Sequence, residues 1–177
     1  ATAEEMYRKL LEDQPGFAEC HFRLGRLLEA AGKAEEADRH YIRARDLDGL
    51  PMRCPTPLLD VYRGAAEENP ELVFVDGPET LRKASTDGLV GDAWIQDGQH
   101  PTFRAYVALA QALLTRIAEE KALGWPEVKA APRIDPEACA DHFKISPEVW
   151  ARSARRAASF YERTATVRFD PSESLEK

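Results

Sequence analysis

The chain has 177 residues, 44% of them hydrophobic and 31% charged, a length that suits one domain, or one domain with a short appendage, around a real core. Lys and Arg total 24 against 31 Asp and Glu, a formal charge of −7, which disfavours a binder of nucleic-acid backbones because Lys and Arg do that work. No apolar run approaches the roughly 20 residues that a membrane-spanning helix needs.

The stretch from Ala18 to Pro51 places Leu24-Gly25, Leu28, Gly32, Ala37, Tyr41 and Ala44 in a recurring pattern. Leu24 and Leu28 lie four apart on one face of a first helix, and Gly25 lets a partner helix come close. Gly32 supplies the left-handed residue that ends the first helix. Ala37, Tyr41 and Ala44 form the apolar face of a second. Upstream at the same period, Ala3 answers Ala37, Tyr7 answers Tyr41, Leu10 answers Ala44, and Pro15-Gly16 closes the loop. These offsets resemble the tetratricopeptide repeat, with a period of about 34 residues. The resemblance implies helical hairpins over residues 1–50, the first incomplete because the chain opens on a second helix. It also implies a concave groove for a peptide or protein partner. An ordinary helical hairpin is the plainer reading of the same spacing. The opening Ala-Thr-Ala-Glu-Glu-Met has no basic start or apolar stretch of a signal peptide. The repeat phase leads us to expect that it is not the true N-terminus, so localisation stays open.

Pro51, Pro55 and Pro57 interrupt the second helix, and Pro57 suits the first turn of a new one carrying Leu58, Leu59, Val61 and Tyr62 up to Asn69-Pro70. Leu72-Val73-Phe74-Val75, closed by Asp-Gly-Pro, reads as a short buried strand of a parallel sheet. No other segment reads as a strand. Its sheet partners would lie elsewhere, so in this chain the run either pairs between molecules or becomes irregular, and a predominantly helical chain with at most one or two short strands is expected. A short helix follows around Pro78 to Lys83. After a loop, Phe103, Tyr106, Val107, Ala110, Leu113, Leu114 and Ile117 mark an amphipathic helix with Pro101 in its first turn.

Just ahead of that helix stand Asp97 and His100. An Asp three residues before a His can fold back so that its carboxylate accepts a proton from one imidazole nitrogen. The tautomer is then fixed and the other nitrogen is left as a general base. A solvated bystander histidine is the plainer alternative. The succession of apolar run, Asp76, loop, Asp97-x-x-His100-Pro101 and helix, over Leu72 to Ile117, resembles the C-terminal block of the SGNH (GDSL-like) hydrolases. That resemblance implies the helix-rich C-terminal part of a three-layer α/β/α domain over residues 51–124. It makes His100 the general base and Asp97 its orienting partner in a Ser-His-Asp triad that acts on a carboxylic ester without a cofactor. Two departures stand out. Thr102 and Ala105 replace the Asn and Gly that often follow the His-Pro pair. None of Ser85, Ser146, Ser153, Ser159, Ser172 and Ser174 follows Gly-Asp, and Gly91-Asp92 runs into Ala93. The chain is therefore expected to be a C-terminal fragment, inactive alone, whose nucleophile lies in a missing N-terminal part. In family members with repeats inserted in the hydrolase domain, Arg45 to Arg53 would be the return junction. Arg53 is a candidate substrate-binding residue, an exposed linker arginine being the plainer reading. The alternative function is a non-catalytic interaction module built on the repeats.

Residues 125–177 read as a helical extension. Trp125-Pro126 ends the long helix, Asp135 caps a helix over Pro136 to Phe143, and Ser146-Pro147-Glu148 opens another. Val149, Trp150, Ala154, Ala157, Ala158 and Tyr161 would form its buried side. Arg152, Arg155, Arg156 and Arg163 would form a solvated face, or one that docks on an acidic surface of the same protein. Residues from Phe169 onward look extended. Cys20, Cys54 and Cys139 read as small hydrophobes without disulfides, and His21, His40 and His142 as helix-surface residues with no ligand-like spacing. Asp92 with Asp97 and His100 does not make a credible metal set.

Overall fold

The structure, a computed structural model, describes residues 1–120, 124 and 131–165. The readings placed on Trp125-Pro126 and on Phe169 onward lie outside these residues. The chain divides into two compact units, Ala1–Leu89 and Val90–Lys177. The described residues are mainly helical and form no sheet.

The first unit holds α1 (Ala3–Asp13), α2 (Ala18–Ala30), α3 (Ala34–Asp46), α4 (Thr56–Glu68) and α5 (Gly77–Ala84). Thr2 opens α1 with a capping box: its hydroxyl accepts from the Glu5 amide, and the Glu5 carboxylate accepts from the Thr2 amide. Leu24, Leu28 and Ala37 form a fully buried cluster, and Tyr7, Leu11 and Tyr41 pack against it. The two tyrosines that stand one period apart in the sequence thus flank the same core. Gly25 is the point of closest approach, where an added Cβ would sit 2.8 Å from Tyr41 Cε1. Gly32, at φ +72°, makes the turn between α2 and α3.

Asp46 ties the end of α3 to the start of α4. Its Oδ1 accepts from the Thr56 amide at 2.9 Å, while Arg45 donates to both Asp46 and the Thr56 hydroxyl. Residues 72–75 form no strand and take the irregular course, one of the two outcomes open to a run without sheet partners. An isolated apolar run has no ladder to join, and here it serves as an irregular lead-in to α5. Asp76 caps that helix at the Glu79 amide and pairs with Arg63 at 2.7 Å.

The second unit holds α6 (Phe103–Glu119), α7 (Pro136–His142) and α8 (Pro147–Ala165). Asp135 caps α7 through the Glu137 and Ala138 amides. Three expectations need correction. Pro101 lies ahead of α6, whose cap is Thr102. On α6, Ala105 and Val107 are buried, whereas Tyr106 and Leu113 are exposed. On α8, Tyr161 is buried, but Val149 and Trp150 are exposed, with Trp150 set edge-on to Phe103. Cys20 is buried, Cys54 and Cys139 are half-buried, and none is in a disulfide.

Candidate functional site

A tight loop in the second unit presents Asp97 and His100. Its stem is a single antiparallel bridge between Ile95 and Pro101, closed by the Gln96 amide on the His100 carbonyl and the Thr102 amide on the Trp94 carbonyl. Trp94 anchors the stem: it is buried, and the Arg104 guanidinium lies 4.4 Å from its ring centre. At the exit, the Thr102 hydroxyl donates to the Ala93 carbonyl and accepts from the Ala105 amide. Two of the positions that depart from the hydrolase pattern, Thr102 and Ala105, are therefore the two partners of the α6 cap.

At the tip, Gly98 takes φ +79°, a conformation that turns the chain back on itself. Asp97 then faces His100 with both oxygens in use. Oδ1 accepts from the Gln99 amide at 3.2 Å and from the His100 amide at 2.8 Å. Oδ2 lies 2.8 Å from His100 Nδ1. An ionised carboxylate is an acceptor only, so Nδ1 carries a proton, and in the neutral ring the lone pair is on Nε2. Partial burial pushes the Asp97 pKa up. The His100 amide, the imidazole and the Gln99 amide outweigh it, and the carboxyl sits below its ordinary value. The Asp97 side chain is 17% exposed and the His100 side chain 62%, so the held acid is sheltered while the imidazole is open.

A cleft of about 510 Å³ lies against the imidazole. One wall is Gln96, Asp97 and His100; the other is a stripe of α8 made by Val149, Arg152, Ser153, Arg156 and Ala157. The spacing of that stripe is one helical face. The Ser153 hydroxyl donates to Gln96 Oε1 at 2.8 Å and fastens the two walls together. Sequence reading placed Arg152 and Arg156 on a solvated face; both are exposed, and both also line this cleft. It brings Asp97 and His100 together as expected. Arg53 belongs to the first unit, in the irregular stretch before α4, and the lining of the cleft comes wholly from the second.

Among the described residues, no group of three or more His, Cys, Asp and Glu is placed to hold a metal ion. The first unit carries a pair that spacing did not reveal. His21 Nδ1 and His40 Nδ1 lie 2.9 Å apart, one on α2 and one on α3. No protein-family model matches the chain, and neither the curated proteins nor the solved structures provide a match.

Proposed function

We propose that His100 is the general base and Asp97 its orienting partner in the Ser-His-Asp triad of an SGNH-like carboxylic-ester or acyl hydrolase. The observation that carries this reading is the 2.8 Å contact between Asp97 Oδ2 and His100 Nδ1, which leaves Nε2 as a proton acceptor beside an open cleft. In that role Nε2 takes the proton of a seryl hydroxyl as it attacks the ester carbonyl, then returns it to the leaving alkoxide. Asp97 stays ionised throughout and stabilises the imidazolium. The serine is supplied by sequence outside these 177 residues, since none of the serines within them follows Gly-Asp. Upstream of them, the reading predicts a strand followed by Gly-Asp-Ser.

The assembled protein should hydrolyse a p-nitrophenyl acyl ester, and His100→Ala should abolish turnover while leaving the circular dichroism unchanged. Unchanged turnover in that variant removes the role assigned to His100. A second reading is favoured by the first unit: a non-catalytic tetratricopeptide-like module that presents α1–α3 to a peptide. Its support is the packing of Tyr7 and Tyr41 around one core cluster. A pulldown with residues 1–48 that retains no partner counts against it.

A further inference from the structure

We propose that the cleft beside His100 is a binding site for a small anion, a carboxylate or phosphate group held between Arg152 and Arg156. Both side chains belong to the α8 stripe that forms one wall, and the Ser153–Gln96 hydrogen bond keeps that stripe turned toward the loop. Neither guanidinium has an ion-pair partner among the described residues. Arg8, Arg23, Arg39, Arg63, Arg82 and Arg116, by contrast, pair with carboxylates.

Two acids beside the arginines already hold other hydrogen bonds. Asp97 is held by His100, and Glu148, four residues before Arg152, accepts from the Ser146 hydroxyl. Two like charges four apart work against their own helix by a few tenths of a kcal/mol. An anion between them relieves that repulsion through charge-assisted hydrogen bonds. The result is a local excess of positive charge in a chain whose formal charge is −7. The volume lies within the range of small-molecule sites, roughly 300–1,000 Å³. Val149 and Ala157 give the same wall apolar ends, which suits a small organic anion with a short hydrocarbon part.

The test is a titration of the chain with inorganic phosphate, and separately with succinate, at constant ionic strength. The His100 ring and the α8 amides are followed by NMR. Saturable shifts with either anion, weakened roughly tenfold or more in R152Q/R156Q, are the expected result. R155Q, on the same helix but outside the lining, should bind as wild type does. Should the double variant lose helicity by circular dichroism, R152Q alone makes the comparison. Linear shifts, shifts reproduced by chloride, or equal binding by the arginine variant overturn the proposal. The measurement needs no turnover, so its failure leaves the ester-hydrolase reading to its own test.

Discussion

At the scale of the residue, the chemistry of the loop rests on which imidazole nitrogen carries the proton. Asp97 sets this because its Oδ2 accepts only, while Oδ1 is occupied by two backbone amides. Asp97→Asn keeps the amide bonds through its carbonyl oxygen but turns an NH2 toward Nδ1. The ring must then offer a lone pair at Nδ1, and its proton moves to Nε2. Long-range nitrogen–proton correlation spectra should show that tautomer switch at neutral pH, and an unchanged tautomer would refute the assignment. Under the proposed triad the same change should lower kcat by roughly 10⁴, the scale known for the wrong tautomer in a triad. The pair was legible in the sequence because both members lie within one turn of chain. The opposite wall was not. Ser153 and Gln96 stand 57 positions apart, and no local periodicity announces a contact of that span.

At the scale of the element, the α2–α3 crossing gives two expectations. Gly25→Ala brings a Cβ to 2.8 and 2.9 Å from Tyr41 Cε1 and Cδ1. Overpacking costs about 1–3 kcal/mol, against a gain in helix propensity of about 1 kcal/mol. The net effect should be a loss of up to about 2 kcal/mol, read as a lower urea midpoint. In a Tyr41→Leu background, where the ring is gone, the sign should reverse.

The second expectation concerns pH. His21 Nε2 faces the Pro15 carbonyl at 3.2 Å and so carries a proton, which leaves its Nδ1 to accept from His40 Nδ1. A further proton sets N–H against N–H. Burial, then the charge of His21, hold the His40 pKa below its ordinary value of 6.5; Arg8 and Arg39 act in the same direction and Glu36 opposes them. A depressed folded value means that the unfolded chain binds the proton more readily. The stabilising contribution is therefore complete above pH 6.5 and is lost as pH falls toward the folded value. Melting temperatures should fall between pH 7.5 and about 5, and His40→Gln should flatten that part of the profile. Helix positions were largely legible, through Gly32, Pro57 and Asp135. The state of the run at 72–75 was not legible, because β-branched composition gives a strand only where a neighbouring strand exists to pair with it.

At the scale of the whole molecule, the described residues of neither unit are organised around a sheet, and the two units differ in how they hold themselves together. The first has its cluster of Leu24, Leu28 and Ala37, legible in the sequence as small and branched residues at helical spacing. In the second, buried apolar residues such as Trp94, Ala105, Val107 and Tyr161 are joined by polar ties, the Ser153–Gln96 bond and the Thr102 cap. Those ties are side-chain choices that hydrophobic patterning does not register. The same ties position the cleft, so arginines that read correctly as a solvated face could not be read from the sequence as the wall of a cleft.

The loop that carries His100 is also a place where the chain can age. Asp-Gly occurs four times, at Asp48, Asp76, Asp87 and Asp97, and it is the dipeptide in which the next amide nitrogen most easily closes on the side-chain carboxyl to give a succinimide and then isoaspartate. Ring closure needs a carboxyl free to rotate and is faster when it is protonated. Asp97 is ionised and bound at both oxygens, whereas Asp48 is held by the Leu50 amide alone. During prolonged storage at 37 °C, peptide mapping should find isoaspartate at Asp48 well before Asp97, and His100→Ala should bring the two closer. Shelf life of the protein would then be written in the same bonds that aim its imidazole.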